Sequence, residues 1–154
     1  MQWSPPVVVS QNFDESYQAA KLHIQETNSQ YNQQYFVNLI DKKGSQQKIG
    51  NKFTELFDKL KDSTLNYTWF DFHGECKKMK WENLRKLLAI VEEELTNYGS
   101  FIAELQVGLN QRQAITTETC RIVQTQRGVL RTNCMDCLDR TNVVQSVFSR
   151  RIAH

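Results

Sequence analysis

An α/β fold with a mostly parallel central sheet, flanked by helices, is what the order of hydrophobic patterns in this chain predicts. Three observations carry the prediction. Short apolar, β-prone runs alternate with amphipathic helical stripes along the chain. One run, Tyr35 to Ile40, is nearly continuous in apolar residues, as strands covered on both faces are. The length of 154 residues, 40% of them hydrophobic, suffices for one sizeable core and fits a single compact domain over residues 1–154.

In order along the chain, Pro5 and Pro6 lead into Val7, Val8 and Val9, a short strand candidate. Between Asp14 and Gln25, helical spacing places Tyr17, Ala20 and Ile24 on one face. The polar stretch Gln25 to Gln34 reads as a helix end and loop rather than a domain boundary. After the strand from Tyr35, Ser45 is placed to cap a helix carrying Ile49, Phe53, Leu56, Phe57 and Leu60 on one side, with Gly50 counting against it. Tyr67 to Phe72 is aromatic and β-prone, hence a further strand.

Trp81, Leu84, Leu87, Leu88, Val91 and Leu95 form the cleanest amphipathic stripe, and Gly99 stops it. Phe101 to Leu105 and Thr119 to Gln124 are short strand candidates separated by a polar loop. Gly128 to Asn133 reads as a strand running into a cysteine-containing loop. Val143, Val144, Val147, Phe148 and Ile152 mark one face of a closing helix. Ligands of such sheets bind beyond the carboxyl ends of the strands, and the cysteine loop falls at that place.

Charge and composition narrow the function. A net charge of +2 is too mild to imply nucleic acid, so an anionic ligand needs a locally focused positive site. Four cysteines are too few for a disulfide scaffold and fit a reducing, intracellular setting, with Cys76 and Cys120 read as structural. No stretch approaches the roughly 20 apolar residues of a membrane span. The N-terminus lacks a secretion-signal pattern. Asn66-Tyr67-Thr68 matches a glycosylation sequon inside a strand candidate and is read as chance. Any membrane contact is expected to be peripheral.

The segment Cys134-Met135-Asp136-Cys137-Leu138-Asp139-Arg140-Thr141 gives each part a phosphoryl-transfer role. A thiolate is a strong nucleophile, but a free cysteine, with a pKa of about 8.5, is mostly protonated at neutral pH. Backbone N–H groups of a short loop at a helix N-terminus, here those around Met135, Cys137 and Leu138, stabilise first a thiolate and then a phosphate. Five intervening residues bring Arg140 back over the phosphate oxygens, where its planar fork holds two of them. Thr141 can donate its hydroxyl to the sulfur. A cysteine followed six residues later by an arginine also arises by chance, and free cysteines are mostly inert core residues. Placement at a strand-to-helix junction, with two acids in the loop, lifts this case above that background.

Other readings use the same residues. Cys134-x-x-Cys137, preceded by His73-Gly74-Glu75, echoes the zinc site of nucleoside deaminases, although Asn133 stands where that pattern wants Pro and Arg140 is left without a role. His73, Cys76, Cys134 and Cys137 are alternatively a closed structural zinc set. A redox pair lacks the rest of its motif. A catalytically silent phosphoinositide-binding domain is the rival from the binding class.

The stretch Arg131 to Ser146, RTNCMDCLDRTNVVQS, closely resembles the signature of the Sac-type phosphoinositide phosphatases. So do Asn38 to Ser45, NLIDKKGS, and Phe70 to Trp81, FDFHGECKKMKW, in matching order. The resemblance implies a cysteine-phosphatase-like catalytic core that dephosphorylates phosphatidylinositol phosphates by a phosphocysteine route. It implies no metal or other cofactor, and action at the cytosolic face of endomembranes in membrane trafficking. Members of that family carry a further N-terminal subdomain and continue past the helix that here stops at His154. Residues 1–154 are thereby expected to be the core of the catalytic half, a fragment of a larger domain.

Several residues remain to be weighed. Asp71 and His73, at a strand end, face the phosphate site or else cap the following helix and fill a core position. Lys77, Lys78 and Lys80 suit anionic headgroups or a bilayer surface, against the plainer reading of a solvated helix start. Trp69 and Trp81 are more often core than ligand platforms, and Glu92-Glu93-Glu94 reads as a wet helix face. For the acid that protonates the leaving group, similarity to the loop of myotubularin-type lipid phosphatases places Asp139 first, Asp136 second and Asp71 third.

Overall fold

Alternation along one strand sets out the layers. The structure, a computed structural model, describes residues 8–108 and 116–153. β1 (Gln33–Asn38) is buried at every residue but its first. Successive side chains of a strand point to opposite faces. Tyr35 and Val37, with Leu39 just beyond, join a cluster containing Leu87, Val91, Leu95, Val144 and Phe148. Gln34 and Phe36 face the other way. The Gln34 amide donates to Thr27 Oγ1 at 2.8 Å and Asn28 Oδ1 at 2.6 Å, and the Phe36 ring meets Phe57 with centroids 5.0 Å apart.

The central sheet has the order β2-β1-β5 and is parallel throughout, with β2 at Leu65–Trp69 and β5 at Gly128–Asn133. One face carries α1 (Phe13–Tyr31) and α2 (Gly44–Leu60). The opposite face carries α4 (Leu84–Tyr98) and α5 (Asp139–Ile152), while the single-turn helix α3 (Phe72–Glu75) follows β2. The α/β architecture with helices flanking a parallel sheet is therefore the observed one. Among the described residues, β3 (Ile102–Gly108) and β4 (Thr116–Gln124) pair with each other alone, antiparallel, outside that sheet.

Several boundaries differ from the sequence expectation. Val8 and Val9 lie in no strand, and Val7, Pro5 and Pro6 fall outside the described residues, as do the first residues read for a secretion signal and part of the polar loop after β3. α1 continues through the Asn- and Gln-rich stretch to Tyr31, where the Gln34 amide of the central strand donates to both Thr27 and Asn28. Ser45 does not cap α2. The helix begins at Gly44, whose φ of 63° suits glycine, and the cap position is Lys43, with no side-chain bond. The strand expected over Tyr67 to Phe72 is β2 and ends at Trp69, since Asp71 caps α3. Trp81 precedes α4, in a 3-10 turn. Cys76 is buried, whereas Cys120 is exposed on β4 and is not a core residue.

Gly50 has a packing reason. A Cβ there would stand 2.1 Å from the Trp69 ring, so the missing side chain lets β2 approach α2. Trp69 in turn donates its indole N–H to the carbonyl of Ile40 at 2.9 Å, fixing the loop that leaves β1.

Candidate active site at the carboxyl edge of the sheet

The three central strands end side by side, with Asn38 in register with Trp69 on one flank and Asn133 on the other. Their outgoing loops are pinned at the first residue. The Leu39 amide donates to Asn133 O at 2.8 Å and the Phe70 amide to Asn38 O at 2.9 Å. Asn133 Nδ2 donates to the buried Asn38 Oδ1 at 3.0 Å. Every sequence-predicted site residue lies on or just beyond these loops.

Cys134 follows β5 directly and is buried. Its Sγ accepts from the Cys137 amide at 3.1 Å and from the Thr141 hydroxyl at 3.4 Å, and its thiol donates to Asp136 Oδ1 at 3.3 Å. The turn that delivers the Cys137 amide requires a left-handed residue, and Cys137 itself has φ 55°. Thr141 is buried in the first turn of α5, which aims its hydroxyl inward. Met135, Cys137 and Leu138 are exposed.

The loop aspartates differ in setting. Asp136 is exposed, and its carboxyl is held below the ordinary range by the Leu138 amide at 3.1 Å, then by the Cys134 thiol and the charge of Arg140. Asp139 is the first residue of α5 and lines an open cleft. Asp71 is the cap of α3, accepting from the Gly74 amide at 2.9 Å, and it lies outside the cleft lining.

Arg140 is anchored rather than loose. Its Nη1 donates to Leu39 O at 3.3 Å, Gln46 Oε1 at 3.2 Å and Asp41 Oδ1 at 3.5 Å. The same Asp41 oxygen meets His73 Nδ1 at 2.8 Å. Asp41 thus ties Arg140 to His73, a link absent from the sequence reading. Asp41 and Gln46 lie in or just after the NLIDKKGS block beyond β1. The rule that ligands gather at strand carboxyl ends was a signal that could have found them.

The cleft, of about 510 Å³, is lined by Lys43, His73, Lys77, Lys78, Asp139 and Arg140 together with the apolar side chains of Phe72, Met79, Trp81 and Val143. Four cationic side chains face one carboxylate, which focuses positive potential where an anion would sit. On the α1/α2 side, a second and mainly apolar cavity of about 430 Å³ reaches Cys134 and Met135.

The zinc alternatives find no ligand set. Among the described residues no three of His, Cys, Asp and Glu come together as metal ligands. His73 turns to Asp41, Glu75 pairs with Lys86 at 2.7 Å, and Cys76 is buried among Phe72, Leu84 and Leu87. No helix among the described residues is long and apolar enough to cross a membrane.

Comparison with known proteins shows similarity in sequence to the SacI homology domain and to proteins named phosphoinositide phosphatases. The family model described as the SacI homology domain matches residues 1–77. Phosphatidylinositol-3-phosphatase SAC1 of Saccharomyces cerevisiae is 36% identical over 151 residues, 97% of this chain and 22% of that protein. The Drosophila melanogaster protein of that name is 36% identical over 133 residues, 86% of this chain and 20% of its own length. Human phosphatidylinositide phosphatase SAC2 is 36% identical over 129 residues, covering 83% of this chain and 10% of that protein. The chain thus spans about a fifth of the SAC1 relatives' length.

Proposed function

The chain belongs to the SacI homology domain family, and from that premise we propose that it carries the catalytic loop of a phosphoinositide phosphatase working through a phosphocysteine. The observation that carries the reading is the setting of Cys134. Its sulfur accepts two hydrogen bonds, from the Cys137 amide and the Thr141 hydroxyl, at the mouth of a helix N-terminus. Both donors stabilise sulfur as an anion, before attack and again as it leaves phosphorus.

In this reading the thiol proton leaves by way of Asp136, whose oxygen accepts the Cys134 S–H hydrogen bond at 3.3 Å, while the Cys137 amide and the Thr141 hydroxyl hold the thiolate. Sγ attacks phosphorus in line, forming an S–P bond as the P–O bond to inositol breaks. Arg140 keeps Nη1 on Leu39, Asp41 and Gln46. Its other two nitrogens have no protein partner among the described residues and are left to meet the phosphate oxygens. Asp139 gives its proton to the departing inositol oxygen. Water then attacks phosphorus, loses its proton to Asp139 and frees phosphate from sulfur. His73, Lys77 and Lys78 hold the anionic headgroup in the cleft. The substrate is membrane-borne, so the protein works peripherally at the cytosolic face of endomembranes.

The test is phosphate release from a panel of phosphoinositides, with chelator present, comparing wild type with Cys134→Ser. Both the 154-residue chain and a version extended by its natural flanks are assayed. Turnover in wild type with none in the serine variant, and lipid binding retained, is the expected result. Turnover that survives in Cys134→Ser removes the nucleophile. Binding without turnover in either length of wild type makes this a silent phosphoinositide-binding domain.

A further inference from the structure

The segment between α3 and α4 places exposed apolar side chains among lysines beside the cleft. Met79 is 74% exposed and Trp81 45%, and Leu138, the residue before the cleft-lining Asp139, is 59% exposed. Trp81 leans on Phe72, with centroids 6.0 Å apart, and leaves the remainder of its indole in solvent. Lys78 and Met79 are consecutive left-handed residues, φ 58° and 59°, and neither is glycine. Lys77, Lys78 and Lys80 interleave the apolar side chains, and Lys43 joins them across the cleft. Among the described residues none of these four lysines is in an ion pair.

We infer that this rim, Lys77 to Trp81 with Leu138, docks on an anionic lipid bilayer, setting Met79 and Trp81 into the headgroup layer with the Arg140 cleft facing the membrane. The inference rests on the phosphoinositide reading for its orientation.

Its chemistry favours a bilayer over a protein partner. Protein interface cores are depleted in lysine and need a contiguous apolar patch, whereas here single apolar side chains alternate with ammonium groups. A bilayer interface accepts that mixture. Tryptophan prefers the headgroup level, lysine stems lie along apolar surface with their charge in water, and the cytoplasmic leaflet is negative.

The experiment uses the whole chain and vesicles of phosphatidylcholine with and without phosphatidylserine, and no phosphoinositide. Expected are cosedimentation with the phosphatidylserine vesicles and a blue shift of tryptophan emission that Trp81→Phe removes. The triple variant Lys77→Ala/Lys78→Ala/Lys80→Ala should lose roughly a hundredfold in partition, and Met79→Ser roughly tenfold. Circular dichroism shows whether each variant is folded. Equal partition of wild type and the folded triple variant overturns the proposal, as does absence of wild-type binding. A Met79→Ser that alters oligomeric state but not partition makes the rim a protein interface and overturns it too. The phosphatase reading is judged separately, by phosphate release from a soluble short-chain phosphoinositide, so either can fail alone.

Discussion

The carboxylate of Asp41 accepts a hydrogen bond from Arg140 Nη1 at 3.5 Å, joining residues 99 positions apart in the chain. Their side chains are 11% and 17% exposed, Arg140 first, so the pair is partly shielded from water. The contact leaves Arg140 aimed from behind, with one nitrogen committed to the protein.

Asp41→Asn should therefore act through Arg140. Removing the charge while keeping the shape leaves a shielded guanidinium with only neutral acceptors, at a cost of about 1–3 kcal/mol. Urea unfolding checks this. His73→Ala removes the other Asp41 contact but touches an exposed ring, and should cost no more than about 0.5 kcal/mol. Equal losses in the two variants would show that Arg140 gains nothing from Asp41.

Gly50→Ala should destabilise, against the usual helix preference. Alanine in a helix interior gains about 1 kcal/mol over glycine. Here the new methyl meets the Trp69 ring at 2.1 Å, and overpacking of that kind costs about 1–3 kcal/mol. Trp69 must move, loosening its bond to Ile40 O and hence the loop that carries Asp41. A lower urea midpoint together with slower turnover is expected. A raised midpoint would mean that the ring turns aside freely.

Acid should find Asp136. Its carboxyl is held below the ordinary 3.8 by the Leu138 amide, the Cys134 thiol and Arg140. The unfolded chain takes up that proton at higher pH than the fold does. The contribution to stability is therefore complete above 3.8 and is lost as pH falls through that value towards the folded one. Asp136→Asn should lower the urea midpoint at about pH 6, with the two proteins converging in acid. A gap that stays constant with pH would contradict this.

The three acid candidates separate by leaving group. An inositol alkoxide is too basic to depart unprotonated, whereas an aryl oxide needs little help. General acid catalysis contributes about 100- to 10,000-fold. Asp139→Asn should lose roughly that much on a phosphoinositide and far less on an aryl phosphate. Asp136→Asn should show a milder, less selective defect. Asp71→Asn removes the cap of α3 and should slow both substrates alike. Selective loss in Asp71→Asn instead would move the acid outside the loop.

What sequence alone determined was local. Tyr35 to Ile40 marked the central strand, Leu84 to Leu95 the helix face against it, and Gly128 to Asn133 the strand feeding the cysteine loop, because burial periodicity is written in consecutive residues. The loop block from Arg131 to Ser146 stood out for a similar reason, since its cysteine, arginine and threonine lie within eight consecutive positions. Helix ends at Tyr31 and Gly44 did not, since Gln34 of β1 holds the last turns of α1 through Thr27 and Asn28, and α2 starts from the left-handed backbone of Gly44 without a side-chain cap. Tertiary structure alone decided that Gly50 yields space to Trp69, that Asp71 is committed to a cap, and that Asp41 reaches Arg140 and His73. Parallel pairing of β1 with β5 brings residues nearly a hundred positions apart onto one edge of the sheet. A single sequence carries no periodicity that records such a meeting.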